Sequence, residues 1–108
     1  MDVTLLYFDD CPNWQVLDAR LANLAAEFGL NVRHVRVDTA EEAERVGFRG
    51  SPSILVEGRD LFARGDEPVG LSCRVYQTSA GPAGSPTIPQ LREALAAGPP
   101  LPPLERLT

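Results

Sequence analysis

The feature that most constrains the fold is a strand-to-helix junction near the start of the chain. The segment from Val3 to Phe8 is continuously apolar or β-prone, and it breaks at Asp9-Asp10-Cys11-Pro12. Because its residues do not alternate between apolar and polar, we predict a central strand covered on both faces. Beyond the break, apolar residues recur at spacings of three and four, which predicts an amphipathic helix of about four turns. This repeat consists of Trp14, Leu17, Leu21, Leu24 and Phe28. Pro12 suits its first turn and Gly29 its end.

The remaining pattern predicts an α/β domain built on a four-stranded mixed sheet, with helices on both faces. Further strands are expected at 31–37, 53–56 and 71–76, and short helices are expected to begin after Thr39 and Thr87. Both threonines are followed three residues later by Glu or Gln, the spacing of a capping box. The order is β-α-β-α-β-β-α. Its first βαβ unit requires a parallel pair of strands, and the last two strands are expected to form an antiparallel hairpin.

Length and charge limit the function further. The chain has 108 residues and a formal net charge of −5. We predict one domain at 1–98 and a Pro-rich tail at 99–108, either a solvated terminus or a polyproline-II segment that docks on a partner. The acidic balance argues against nucleic acid as a partner. No apolar stretch is long enough to span a membrane, and the N-terminus lacks the cationic region of a signal peptide. We therefore expect a cytoplasmic protein that binds neither nucleic acid nor membranes.

The reactive side chains are few. The chain has two cysteines, Cys11 and Cys73, and one histidine, His34. Two cysteines are too few for a disulfide-stapled secreted scaffold, and no cluster of side chains supplies a tetrahedral zinc site. His34 lies between arginines in a predicted edge strand, which is a poor setting for a hydrolase base. Any chemistry is therefore assigned to the thiols, with no cofactor.

Two segments resemble the thioredoxin and glutaredoxin fold family. One is the Cys-Pro at the first strand-to-helix junction, and the other is 46–56, where a Gly, an Arg-Gly pair and a Pro precede the third strand. A narrower resemblance is to small bacterial thioredoxin-like proteins, some labelled alkylmercury lyase-like. Its motifs are Cys11-Pro12-Asn13, Gly50-Ser51-Pro52-Ser53, Val56-Glu57-Gly58-Arg59-Asp60 and Gly70-Leu71-Ser72-Cys73-Arg74-Val75-Tyr76.

The resemblance implies a substrate site beside Cys11. Pro52 would be a cis-proline facing Cys11, and Pro12, Ser51 and Pro52 would orient an extended thiol or disulfide substrate. The alternative is a trans Pro52 that only opens a strand. The sequence departs from the Cys-Pro-x-Cys pattern of glutaredoxin-like sites, because Trp14 stands where the second cysteine would be. The ordinary Cys-x-x-Cys cycle is therefore excluded.

The two thiols lead to different expectations. Cys11 would lie at a helix N-terminus, which favours the thiolate, whereas Asp9 and Asp10 oppose a further negative charge. We expect a moderately nucleophilic thiol. Cys73 is read as a small buried hydrophobic residue. Alternatively, it is a distant resolving partner for Cys11, which requires the two Cα atoms to lie within about 7 Å. We expect a position in mid-strand to be too deep for that without rearrangement.

Three functions remain open. In the first, Cys11 alone forms mixed disulfides with glutathione or a protein thiol, and an external thiol resolves them. In the second, a redox-silent domain binds a partner through its edge strand, its tail or the loop around Arg64. In the third, Cys11 and Cys73 bind a soft metal such as mercury. We prefer the first of these. The substrate, the reductant and the oligomeric state stay open.

Overall fold

The computed structural model describes residues 1–62 and 69–97. The loop around Arg64 and the tail at 99–108 lie outside these residues. The described part contains three helices, a four-stranded sheet and a separate two-stranded hairpin. The elements are β1 (Asp2–Tyr7), α1 (Asn13–Phe28), β2 (Asn31–Arg36), α2 (Ala40–Val46), β3 (Ser53–Val56), β4 (Arg59–Asp60), β5 (Tyr76–Thr78), β6 (Gly81–Ala83) and α3 (Ile88–Ala97).

The four-stranded sheet is mixed, as the sequence predicts. Its spatial order is β2-β1-β3-β4, so β1 is a central strand. β1 pairs in parallel with β2 and antiparallel with β3, and Leu5 is opposite His34 on one side and Ile54 on the other. The parallel β1–β2 pair confirms the crossover expected from the first βαβ unit.

The predicted fourth strand at 71–76 is wrong. The fourth strand is the two-residue β4, which follows β3 after a tight turn at Glu57 and Gly58, both with positive φ. Positive φ at both central residues matches the twist of an antiparallel hairpin. The segment 71–76 contributes one isolated bridge, between Ser51 and Cys73, and its last residue begins the hairpin β5–β6.

The error at 71–76 has a physical cause. The alternation of apolar residues predicted that Leu71, Cys73 and Val75 face the core. Instead Arg74 and Tyr76 are buried, whereas Val75 is 62% exposed. An ion pair and hydrogen bonds hold Arg74 and Tyr76 inside, so the polar face of the pattern is the buried one.

Helices cover both faces of the sheet, as expected. One core cluster joins β1 and β3 to the leucines of α1 and α3. Its fully buried members are Val3, Leu5, Leu17, Leu21, Leu24, Ile54, Val56, Leu91 and Leu95. The other cluster, on the opposite face, contains Leu6, Val37, Phe48 and Ala43 of α2. Residues 5 and 6 of β1 therefore face different helical layers, which explains why β1 is apolar throughout.

The predicted helix boundaries hold. α1 ends at Gly29, and the Oγ1 atom of Thr39 accepts a hydrogen bond from the backbone N–H of Glu42 at the start of α2. At α3, Thr87 and Gln90 each bond the other's backbone N–H through a side-chain oxygen, which is a capping box. Among the described residues, we find no helix with the length and apolar character needed to cross a membrane.

Candidate functional site

Cys11 lies in the connection between β1 and α1. Its backbone N–H donates to the carbonyl oxygen of Phe8 at 3.0 Å, which closes a tight turn after the strand. Pro12 is the N-cap residue of α1 and makes no side-chain cap. Only 2% of the Cys11 surface is exposed. The sulfur therefore belongs to a buried residue at a helix N-terminus, where the helix dipole favours negative charge.

Cys73 forms a disulfide with Cys11. The residues are 62 apart in sequence, and their Cα atoms are 5.7 Å apart. The expectation that Cys73 sits too deep to reach Cys11 is therefore wrong. The expectation of a buried Cys73 is also wrong, because the residue is exposed. Both errors arise because the segment runs beside Ser51, before the start of β3, instead of through the middle of the sheet.

Ser51 links the two segments that carry the cysteines through hydrogen bonds. Its Oγ accepts from the backbone N–H of Phe8 at 2.9 Å, three residues before Cys11. Its backbone N–H donates to the carbonyl of Ser72 at 2.7 Å, and its carbonyl accepts from the N–H of Arg74 at 2.9 Å. Both backbone groups of Ser51 are thus paired with the residues that flank Cys73. This backbone is where the family resemblance implies an extended substrate.

The neighbouring Ser51–Pro52 peptide bond is cis, as the resemblance implies. Pro52 is buried, and its carbonyl accepts a hydrogen bond of 2.5 Å from the hydroxyl of Tyr76. Pro12, the third predicted substrate-binding residue, is exposed beside Cys11. Pro12 is therefore next to Cys11 in the chain, and Ser51 is hydrogen-bonded to the residues that flank Cys73. Pro52 follows Ser51 in the chain.

Gly50 permits the close approach of the segment that carries Cys73. It has a φ of 110°, and a Cβ built on it would lie 2.9 Å from the Cβ of Arg74. A side chain at this position would therefore meet both an unfavourable backbone conformation and a steric clash.

Arg74 anchors the segment from the other side. Its guanidinium donates two hydrogen bonds to the carboxylate of Asp60, at 2.7 and 3.4 Å, and a third to the Oγ of Ser53 at 3.2 Å. The side chains of Arg74 and Asp60 are only 5% and 12% exposed. The guanidinium also lies 4.8 Å from the ring centre of Tyr76. Sequence reasoning expected an exposed Arg74 and missed this anchor.

Charge near Cys11 is partly compensated. Arg36 of β2 pairs with Asp38 and Asp9, with N–O distances of 3.0 Å in both pairs. The carboxylates of Asp38 and then Asp9 raise the pKa of Arg36 above its ordinary value. Asp9 is one of the two acids expected to oppose a thiolate at Cys11. Its charge is therefore partly offset by Arg36, and both Asp9 and Asp10 are exposed to solvent.

His34 takes part in a separate contact. His34 lies on the edge strand β2 and contacts Asp18 of α1 at 2.8 Å. In the described ranges, no group of three or more His, Cys, Asp or Glu side chains is arranged to hold a metal ion. A cavity of about 480 Å³ is lined by the first residues of β1 and β2 together with the Glu57-Gly58 turn. It lies at the end of β1 that is remote from Cys11.

The site thus consists of a buried cysteine at a helix start, an exposed cysteine bonded to it, and the Ser51–Pro52 backbone between them. This arrangement can exchange electrons through sulfur. Comparison with protein-family models, with curated proteins and with solved structures found no match for this chain.

Proposed function

We propose that this protein is a thioredoxin-like thiol–disulfide exchange protein. Its active group in the proposal is the Cys11–Cys73 pair, with glutathione or a protein thiol as the exchanging partner and no cofactor. The mixed sheet with helices on both faces and the cis Ser51–Pro52 bond next to the disulfide support a thioredoxin-like assignment. The absence of a second cysteine at Trp14 is compatible with this chemistry, because Cys73 supplies the second sulfur from elsewhere in the chain.

The observation that carries the proposal is the position of the disulfide. It joins the N-terminal end of α1 to a segment that pairs with Ser51, and one of its two residues is exposed. A disulfide that an external thiolate can reach, and that releases a thiolate stabilised by a helix N-terminus, has the elements needed for exchange. Reduction by two thiols yields two cysteine thiols in the protein and one external disulfide.

A redox titration of the purified protein tests this function. The protein is equilibrated in dithiol–disulfide buffers of graded potential, and free thiols are counted by alkylation and mass spectrometry. We expect a two-electron transition with a midpoint above about −300 mV, the limit below which structural disulfides commonly fall. The Cys73→Ser variant should show no such transition. A midpoint clearly below this limit would contradict the exchange function.

A redox-silent binding domain is the alternative that such a midpoint would favour. Two observations support it: Cys11 is only 2% exposed, and both backbone groups of Ser51 are already paired within the chain. In that case the disulfide would fix the segment at 71–76 permanently. The partner would then bind elsewhere, for example at the edge strand β2.

Soft-metal binding is favoured by one observation, the convergence of the two sulfurs. In the reduced protein, Cys11 and Cys73 would supply two thiolates, which soft cations such as mercury prefer. Native mass spectrometry with mercuric ion tests this alternative. One ion per reduced chain, lost in both Cys11→Ser and Cys73→Ser, would support it. Binding that persists in either variant would exclude an intramolecular two-thiolate site.

A further inference from the structure

The two ends of the disulfide differ in their access to solvent. Cys11 is 2% exposed, and its backbone is closed into the turn with Phe8. Cys73 is exposed, and so are Ser72 before it and Val75 two residues after it, whereas the intervening Arg74 is buried. An external thiolate must approach one sulfur along the line of the S–S bond, so access decides which sulfur is attacked.

The two ends also differ as leaving groups. Attack on Cys73 expels the sulfur of Cys11, which lies at the N-terminus of α1, whose first turn lacks a side-chain cap. The helix dipole stabilises a thiolate there, and Arg36 offsets the charge of the nearby Asp9. Attack on Cys11 would instead expel the sulfur of Cys73, which lies outside the described helices, in the segment before β5.

Cys73 is also held in place by contacts other than the disulfide. Its neighbours on both sides bond the backbone of Ser51, and the ion pair between Arg74 and Asp60 is almost fully buried. None of these contacts involves a sulfur atom. Cys73 is therefore expected to stay close to Cys11 after reduction, so that the pair can close again.

From these asymmetries we infer that Cys73 is the sulfur that exchanges with external thiols and disulfides, and that Cys11 is the resolving thiol. This inference rests on the proposed exchange function. It reverses the roles that the sequence suggests, where Cys11 is the nucleophile and Cys73 the possible resolving partner.

The steps balance as follows with glutathione as the co-reactant. A glutathione thiolate attacks the sulfur of Cys73, the Cys11–Cys73 bond breaks, and Cys11 leaves with the electron pair as a thiolate. A second glutathione thiolate attacks the glutathione sulfur of the mixed disulfide, which releases Cys73 as a thiolate and forms glutathione disulfide. In the reverse direction, Cys73 attacks glutathione disulfide, and Cys11 then attacks Cys73 to expel glutathione.

The first test compares the two single-cysteine variants. Reduced Cys11→Ser and Cys73→Ser proteins are mixed with glutathione disulfide, and formation of the mixed disulfide is followed by mass spectrometry. We expect Cys11→Ser, which retains Cys73, to react at least about tenfold faster than Cys73→Ser. In concentrated urea, where burial is lost, the two rates should agree to within about twofold. Faster native reaction of the Cys73→Ser protein would overturn the inference.

A second test uses the natural sequence and so avoids any effect of substitution on folding. The oxidised protein is treated briefly with glutathione and quenched with acid, free thiols are blocked with N-ethylmaleimide at mildly acidic pH, and the protein is then digested with trypsin without reductant. Glutathione should be found on the peptide 65–74, which contains Cys73, and not on the peptide 1–20, which contains Cys11. Glutathione on peptide 1–20 would overturn the assignment while leaving the exchange function intact. The redox titration of the natural protein decides the exchange function independently.

Discussion

Arg74 and Asp60 form a forked, almost fully buried ion pair next to the segment that carries Cys73. The two hydrogen bonds measure 2.7 and 3.4 Å, and they join a residue just before β5 to the edge strand β4. A buried charge that loses its partner is strongly destabilising, even where the intact pair contributes little net stability. The pair therefore sets the position of the segment at 71–76.

Replacing Arg74 tests whether the ion pair anchors the segment at 71–76. We expect Arg74→Met to lower the free energy of unfolding by about 3 kcal/mol, because the Asp60 carboxylate stays buried without its partner. Urea denaturation of the oxidised protein measures the change. The exposed pair of Arg92 and Glu27 is the matched control, and Arg92→Met should cost less than about 1 kcal/mol. Equal losses in the two variants would contradict the anchoring role of Arg74.

The close approach at Gly50 gives a second prediction. Gly50→Ala should lower the free energy of unfolding by about 2 kcal/mol or more, because it adds a clash with Arg74 to an unfavourable backbone conformation. Gly29→Ala is the control, since Gly29 also has positive φ but open space around its Cα. It should cost about 1 kcal/mol. If both variants lose the same stability in urea, the contact with Arg74 is not limiting.

The hydroxyl of Tyr76 gives a third prediction about stability. Tyr76→Phe should reduce stability by about 1 kcal/mol, because the buried carbonyl of Pro52 loses a hydrogen bond. The other tyrosine, Tyr7, stacks on Trp14 with ring centres 4.4 Å apart and provides the control. Tyr7→Phe keeps that stacking and should change stability by less than about 0.5 kcal/mol. Thermal unfolding of both variants measures the difference. Equal decreases in melting temperature would contradict this prediction.

Arg36 gives a prediction about kinetics. Arg36→Gln should slow reduction of the disulfide by glutathione about two- to threefold, because Asp9 would then oppose the departing Cys11 thiolate without compensation. In 1 M salt the difference should vanish. Stopped-flow measurements in low and high salt check both points, and a difference that persists in high salt would argue against an electrostatic cause.

The pH dependence of this effect follows from the sign of the pKa shift. The pKa of Arg36 is raised by Asp38 and Asp9, so its paired, charged form is fully present below its unfolded pKa. The stabilisation that comes from the charged Arg36 is lost only as the pH rises through the still higher pKa of Arg36 in the folded protein. The Arg36→Gln effect should therefore not change through titration of Arg36 between pH 6 and 9.

Much of the fold could be predicted from local sequence patterns. The unbroken apolar run of β1, the repeat of α1 and the capping residues Thr39 and Thr87 each specify an element through contacts close in sequence. Part of the site could be predicted too. The strand-to-helix junction indicates the position of Cys11, and the family resemblance implies the cis conformation of Pro52.

The position of Cys73 could not be predicted in the same way. The alternation of Leu71, Cys73 and Val75 indicated a buried strand face, but the ion pair of Arg74 with Asp60 reverses which face is buried. That pair joins residues 14 apart in sequence, and periodicity carries no information about it. The disulfide depends on this reversal.

The disulfide also has a thermodynamic consequence. It closes a loop between residues 62 apart that contains α1, β2, α2, β3 and β4 but not β1, the strand on which the sheet is assembled. In the chain-entropy account, such a loop restricts the unfolded chain by about 4 kcal/mol. By thermodynamic linkage, folding stabilises the disulfide by the same free energy: the folded domain favours the oxidised pair by about 4 kcal/mol more than the unfolded chain does. The same linkage applies to ligands. A ligand that binds the native oxidised form more tightly than the reduced form would make the disulfide harder to reduce. The fraction of oxidised protein would then depend on how much ligand is bound.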